Sequence, residues 1–319
     1  MTDARFRNAA VVGTGMMGPG IAVTLAQGGV RTKLVSRTAE GAAAGLEKAR
    51  ALARLLETEQ LADSGSANRV AALVSATADF ESAVAPADLV IESAPEDMQF
   101  KQDLFARMDA LARPGAVLAS NTSGLSITAI AARCRFPERV LTTHFWNPPH
   151  LVPLVEVVKG EKTSDEAALA IHSLLAACGK VPVLVRKDRP GQLGNRLQMA
   201  LVREAINIVQ EGIADAEDVD TASKCGFGMR LPVYGILEHM DAVGLDFSMS
   251  VLDYVSRDLS DVKGTPPLAR DLIARGDLGP KTGHGFHDWT RKDIVQVRAR
   301  RDQFLIEFLR AERVRRKRT

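Results

Sequence analysis

The turn Gly13-Thr14-Gly15-Met16-Met17-Gly18 limits the fold of this chain more than any other feature, because of what flanks it. Ala9–Val12 ahead of it is a short apolar run of strand character. The segment IAVTLAQGG behind it has helical character and stops on paired glycines, and Val30–Val35 then returns to the alternation of a strand. Strand, tight glycine loop, helix and strand within about 30 residues make a βαβ unit. In such a unit Gly13 permits the turn, Gly15 lets the backbone approach a pyrophosphate, and Gly18 lets the helix pack closely on the strand. The helix N-terminus then faces the phosphates. Gly13, Gly15, Met16, Met17 and Gly18 are therefore candidate dinucleotide-binding residues. A NAD site usually ends the second strand with an acid on the ribose hydroxyls, whereas this chain has Ser36 followed by Arg37. Without that carboxylate a 2′-phosphate meets no repulsion and the Arg37 guanidinium can pair with it, which keeps NADP open beside NAD.

Further short runs rich in β-branched residues follow at Leu73–Ser75, Leu89–Glu92, Val117–Ser120, Val140–His144 and Val181–Val185, separated by helical stretches such as Phe100–Leu111. Glu92, Ser120 and His144 fall at the C-terminal ends of these strands, where open α/β sheets bind ligands. After Lys187-Asp188-Arg189-Pro190-Gly191 the texture changes. Leu197, Ala200, Leu201, Ala205 and Ile208 recur at helical spacing between Asn195 and Glu211, and shorter helical patterns follow around 216–225, 232–241, 246–259 and 266–275. The expected architecture is a Rossmann-type α/β domain with a mostly parallel sheet over residues 1–188, then an all-α substrate and dimerisation domain over 189–290, then a basic tail helix over 291–319.

The tail carries eleven Lys or Arg against four acids, so the rest of the chain is slightly acidic behind a formal charge of +2. Within it Val297, Phe304, Leu305, Phe308 and Leu309 recur at helical spacing, giving a face that can pack on the body or on a second subunit, and the RVRRKRT end reads as frayed. Such a terminus is more often solvated than bound to nucleic acid. No apolar run is long enough to cross a bilayer, and the first glycines arrive before a secretory segment can develop. Cys134, Cys178 and Cys225 match neither a disulfide framework nor a structural zinc pattern. His284, His287 and Asp288 lie in a glycine-flanked segment and read as structural residues, so no metal is expected. Together these features place the chain in the cytoplasm as a homodimer acting on a small molecule, with no membrane or nucleic-acid partner.

The segment HFWNPPHLVPLVE (144–156) pairs a histidine with a carboxylate beside the expected cofactor domain. A histidine titrates near pH ~6.5 in water, and a carboxylate neighbour fixes its tautomer, which suits a base that removes an alcohol proton during hydride transfer. His150, near two prolines, reads as a loop residue.

Six segments in order, GTGMMG (13–18), ESAPEDMQFKQDLF (92–105), SNTSG (120–124), HFWNPPHLVPLVEV (144–157), DRPGQLGNRL (188–197) and KTGHGF (281–286), resemble the 3-hydroxyacyl-CoA dehydrogenase family from about Ala9 to Trp289. The lambda-crystallin and gulonate dehydrogenase branch resembles the chain through APED (94–97) and GFGMR (226–230), and a pyridine-carboxylate dehydrogenase of vitamin B6 breakdown through WNPPH and GEKT. The resemblance implies His144 as catalytic base and Glu156 as its partner. It implies Ser123 and Asn195 on the substrate oxygen, and Glu96, Lys101 and Asn147 as cofactor contacts. Taken without the resemblance, Asn195 reads as a helix cap and Ser123 as a turn hydroxyl. The implied reaction is oxidation of a 3-hydroxyacyl group to its 3-keto product with NAD. A structural or sensor protein that keeps the cofactor site without turnover is the rival, disfavoured by the joint presence of His144, Glu156, Ser123 and Asn195.

Departures from the family bear on the substrate. Ser36 replaces an Asp, Gln192 stands where Phe usually follows Pro-Gly, and Ile236 where Pro is common. The stretch EKARALARLLETEQLADSG (47–65), which supplies basic CoA contacts in acyl-CoA enzymes, mixes acids among its bases. Arg230, in GFGMR, can instead pair bidentately with the carboxylate of a small free acid.

Overall fold

The structure, a computed structural model, describes residues 5–316. Its first compact unit comprises residues up to Asn195 together with those from Arg301 onward, and its second runs from Arg196 to Arg300.

Eight strands form the sheet of the first unit: β1 (Asn8–Val12), β2 (Arg31–Val35), β3 (Val74–Thr77), β4 (Leu89–Glu92), β5 (Val117–Ser120), β6 (Val140–Phe145), β7 (Leu154–Lys159) and β8 (Val181–Val185). Their order is β3-β2-β1-β4-β5-β6-β7-β8. All neighbours are parallel except β6 and β7. The order reverses at β1, so the crevice beyond the ends of β1 and β4 is the switch point at which such sheets bind ligands. The mostly parallel α/β sheet is the one expected from sequence.

β7 is the strand that sequence periodicity does not reveal. Val155, Glu156, Val157 and Val158 are all buried, so no polar alternation marks it, and Pro148, Pro149 and Pro153 mask its start.

Alternate residues of the central strands feed two apolar layers. Val11 and Ile91 join Ile21, Leu25, Ile171 and Leu174 on one face, and Ala10 and Val90 join Phe105, Met108 and Ile130 on the other. The helices that flank the sheet are α1 (Gly18–Gln27), α2 (Ala39–Thr58), α3 (Ser66–Leu73), α4 (Phe80–Val84), α5 (Met98–Leu111), α6 (Ile127–Ile130) and α7 (Asp165–Ala177), the named side chains coming from α1, α5, α6 and α7. Side-chain caps set several of their starts: Thr38 accepts from Gly41 N, Asp97 from Phe100 N and Ser164 from Ala167 N.

Helix α8 (Gly194–Gln210) leads into the second unit, which continues with α9 (Ala216–Cys225), α10 (Ile236–Val243), α11 (Leu245–Val255) and α12 (Pro267–Arg275). Only Ser248 and Leu272 are buried in that unit, while Leu237, Phe247 and Tyr254 are 80%, 61% and 81% exposed.

The last helix, α13 (Ile294–Arg316), belongs to the first unit from Arg301 onward. Ile306 is buried there and Leu305 and Leu309 pack on the sheet's core, whereas Phe304 stays exposed. Arg310 pairs with Glu59 at 2.5 Å, and Arg313 donates to the Gln60 carbonyl at 2.7 Å and pairs with Asp63. The tail is therefore a docked helix. The expected fraying of RVRRKRT does not reach the helix up to Arg316, and residues 317–319 lie outside the described residues.

Candidate active site

The glycine loop between β1 and α1 divides its labour by position. Gly13 has φ +118°, and a Cβ there would lie 2.2 Å from the Ser93 carbonyl oxygen. A Cβ on Gly18 would lie 1.9 Å from the Gly13 oxygen, so helix and loop touch through that missing atom. Gly15 meets nothing within 4 Å and opens onto free space. Helix α1 starts without a side-chain cap, leaving its first N–H groups and the positive end of its dipole for a ligand. An open Cβ position beside an uncapped helix start fits the pyrophosphate of a dinucleotide. At the end of β2, Ser36 N donates to Thr77 O and Arg37 is exposed.

On the other side of the crevice, β6 and β7 set His144 directly opposite Glu156 in register. His144 Nδ1 lies 2.6 Å from Glu156 Oε2, with both side chains buried. Glu156 also accepts from Trp146 Nε1 at 3.3 Å and, through Oε1, from Leu193 N at 2.9 Å and Gly194 N at 2.7 Å. Burial alone would raise its pKa. The His144 bond and the two backbone N–H groups outweigh burial and hold the carboxyl below its ordinary range, so it is ionised. A carboxylate can only accept, so Nδ1 of His144 carries a proton, and in the neutral form of the ring Nε2 is the nitrogen with the lone pair. Burial, with Lys180 nearby, lowers His150 to about 4, in keeping with its loop role.

A second polar network forms where β4 and β5 end. Glu92, fully buried, accepts from Lys101 Nζ, Ser120 Oγ and Ala94 N, each at 2.6 Å. Lys101 also lies 3.4 Å from Glu96. Glu96 accepts from Thr122 Oγ1 at 2.5 Å, Ser123 N at 3.0 Å and Gly124 N at 3.2 Å. Burial pushes the Glu96 pKa up, and those donors together with the Lys101 charge bring it below its ordinary value. Asn195, in the first turn of α8, donates its amide to the Ser123 carbonyl at 2.8 Å. Asn195 lies inside α8, which starts at Gly194, so it does not occupy the capping position ahead of the helix.

A cavity of about 640 Å³ joins these parts. Met16, Met17, Glu96, Ser123, His144, Asn147 and Asn195 line it, together with Ser93, Ala94, Asn121, Phe145 and Trp146. Glu156 lies behind His144, and the three glycines, Ser36 and Arg37 are outside the lining. Lys101, expected as a cofactor contact, is not part of the lining. It is 1% exposed and sits beneath Glu96, because the Glu92 carboxylate buried at the end of β4 draws its ammonium inward. Arg230 is exposed in the second unit, just after a 3₁₀ turn (Phe227–Met229). Gln192 is 5% exposed and is not part of the lining. Trp146 and Asn121 were not anticipated. Trp146 follows His144 by two residues, the strand spacing that keeps a side chain on one face, and that period is the signal for it. Asn121 accepts from Phe145 N at 2.8 Å and ties β6 to the end of β5, a contact that no local pattern announces. Among the described residues no group of three or more His, Cys, Asp or Glu is placed to hold a metal.

Comparison with known proteins adds to this geometry. The family described as 3-hydroxyacyl-CoA dehydrogenase, NAD binding domain, matches residues 8–189, and its C-terminal domain matches residues 191–289. The 5-formyl-3-hydroxy-2-methylpyridine 4-carboxylate 5-dehydrogenase of Mesorhizobium japonicum is 37% identical over 302 residues, 94% of this chain and 96% of that protein. A probable 3-hydroxybutyryl-CoA dehydrogenase of Bacillus subtilis is 39% identical over 284 residues, 88% of this chain and 97% of its own. A crystal structure of a 5-formyl-3-hydroxy-2-methylpyridine 4-carboxylic acid 5-dehydrogenase, described as an NAD+-dependent dismutase, superposes with a TM-score of 0.86 at 35% identity over 96% of this chain and 98% of that one.

Proposed function

Since this chain belongs to the 3-hydroxyacyl-CoA dehydrogenase family, we propose that its cavity oxidises the secondary alcohol of a 3-hydroxyacyl group to the 3-keto product, with His144 as the base. The chain is an NAD-dependent oxidoreductase acting on CH–OH. One observation carries the assignment of the base: Nδ1 of His144 lies 2.6 Å from Oε2 of an ionised Glu156 while His144 is among the residues that line the cavity. Bound NAD supplies the hydride acceptor. His144 Nε2 takes the hydroxyl proton as the carbon loses its hydride, and the resulting imidazolium is stabilised by Glu156. The Ser123 hydroxyl and the second N–H of the Asn195 amide are suited to donate to the developing carbonyl oxygen. Gly13, Gly15, Gly18, Met16 and Met17 would cradle the dinucleotide, with Glu96 and Asn147 on the same wall. Lys101 acts through Glu96, whose carboxylate it orients.

A second reading, a dehydrogenase of a small free hydroxy acid or aromatic alcohol acid without CoA, has its own support. The relative from Mesorhizobium spans nearly the whole chain, and its name describes a pyridine carboxylate. The acids of the α2–α3 hairpin are also committed. Glu57 binds Gly65 N and Ala67 N, Glu59 and Asp63 bind the tail, and Arg50 pairs with Glu47, so acids are interleaved with the bases of the hairpin. Assaying (S)-3-hydroxybutyryl-CoA and a panel of free 3-hydroxy and pyridine hydroxy acids with NAD and with NADP separates the readings. NAD reduction with CoA esters only supports the first, with free acids only the second, and with neither under any condition refutes both.

We also place the protein as a cytoplasmic homodimer. No helix among the described residues is long and apolar enough to cross a membrane, and Cys134, Cys178 and Cys225 are all free thiols. The bare apolar faces of α10 and α11 are of the kind that a second subunit covers. Sedimentation of the purified protein at the mass of one chain would overturn the dimer.

A further inference from the structure

The segment 188–195, which follows β8 and ends in the first turn of α8, touches both polar networks of the cavity. Its Leu193 and Gly194 N–H groups hold Glu156, and its Asn195 amide holds the Ser123 carbonyl. Between these contacts Gln192 Nε2 donates at 2.9 Å to the carbonyl of Thr122, whose own hydroxyl bonds Glu96. Gln192 is kept there against two local penalties. Its backbone has φ +53°, the left-handed region that favours glycine, and its Oε1 is buried with no partner among the described residues. An apolar side chain would fill the same space without stranding an acceptor. What the amide alone supplies is an N–H on the Thr122 carbonyl. Such outliers persist where the surrounding structure holds them in place, and they cluster at functional sites.

We propose that Gln192 is a positioning residue that locks the Thr122–Ser123 segment to the turn holding Glu156, and so fixes Ser123 and Asn195 relative to the His144 imidazole. The catalytic consequence rests on the dehydrogenase reading above; the coupling itself does not. Because a single turn grips both networks, loosening its hold on Thr122 disturbs the donors on Glu156 as well. Shifts of about 1 Å at a reacting centre are enough to cost on the order of a hundredfold in rate.

Three variants test this. Gln192→Gly keeps the left-handed backbone at no strain and removes the amide, and Gln192→Leu fills the space without a donor. Gln192→Glu keeps the shape but faces the Thr122 carbonyl with a carboxylate at neutral pH and with a donating carboxyl in acid. The first readout is the downfield proton resonance of His144 Nδ1, assigned by its loss in His144→Gln and needing no substrate. The second is kcat on the substrate that wild type turns over, acetoacetyl-CoA reduced by NADH or else a free hydroxy acid oxidised with NAD, measured with the Kd for NADH. The expected result is a displaced resonance in Gln192→Gly and Gln192→Leu, with kcat lowered roughly ten- to a hundredfold and NADH affinity within about twofold. For Gln192→Glu, kcat relative to wild type at the same pH should rise as the pH falls. An unmoved resonance in folded Gln192→Gly, checked by circular dichroism, would overturn the coupling. A moved resonance with kcat within about twofold of wild type would overturn the positioning role. If wild type turns over no substrate the dehydrogenase reading fails, and the resonance alone still decides the coupling.

Discussion

Replacing Glu156 by Gln changes one atom and removes one charge, and the structure allows only two outcomes. The carboxylate now accepts from two directions: Oε1 takes Leu193 N and Gly194 N, and Oε2 takes His144 Nδ1 and Trp146 Nε1. A glutamine amide has one accepting and one donating end. Turning its nitrogen toward Leu193 and Gly194 sets donors against donors, at about 1–3 kcal/mol for each buried N–H left unsatisfied. The cheaper arrangement turns its carbonyl to the backbone and its NH₂ to His144, leaving one donor, the Trp146 N–H at 3.3 Å, without its acceptor instead of two. Nδ1 must then accept, the ring proton moves to Nε2, and the nitrogen that should take the substrate proton no longer can. We expect kcat to fall about 10²–10⁴-fold, the usual worth of a positioned base and equivalent to roughly 3–5 kcal/mol. Glu156 is not on the cavity wall, so the Kd for NADH should stay within about twofold. The assay is the change in NADH absorbance on the substrate class that wild type prefers, beside a fluorescence titration of NADH. A folded Glu156→Gln protein with wild-type kcat would refute the tautomer argument.

The glycine loop gives a contrast within six residues. Gly18→Ala, whose Cβ collides with the Gly13 carbonyl, should lower the thermal midpoint markedly, whereas Gly15→Ala, facing open space, should leave it unchanged yet weaken NADH binding by tenfold or so; equal midpoints for the two would contradict the division of roles. His150 is held neutral by burial, with a folded pKa of about 4 against 6.5 unfolded. The unfolded chain therefore binds the proton first, and stability contributed by the neutral ring is lost as pH falls from about 6.5 toward about 4, by no more than about 3 kcal/mol. Urea titrations should show His150→Phe with a flatter slope over that window, and an unchanged slope would remove His150 as the cause. Arg37→Asp should shift the NAD-to-NADP preference toward NAD, and an unaltered ratio would mean that Arg37 does not read the ribose.

The parallel half of the sheet was legible because each strand is short, β-branched and set off by a helix, and the glycine loop marked the turn between β1 and α1 as the candidate dinucleotide site. Strand β7 was not, because a strand buried on both faces has no alternation and Glu156 interrupts its apolar run. The two ends of the central pair were visible as residues, but their cross-strand register was not, because it depends on an antiparallel pairing across a proline-rich connection. Lys101 shows the reverse case. Its sequence motif pointed to the site, while its burial beside Glu92 and its ion pair with Glu96 depend on packing that no local signal announces. The tail's helical spacing was readable, yet its partners Glu59 and Asp63 are some 250 positions away in the chain, beyond any local signal.

The account stands most directly on His144. The decisive measurement is the rate of NADH oxidation by His144→Gln in a single turnover, with the substrate on which wild type is fastest and with NADH binding measured in parallel. We expect NADH to bind as in wild type while the turnover slows by about 10²–10⁴-fold. A rate matching wild type, with the fold intact, would mean that another group moves the proton.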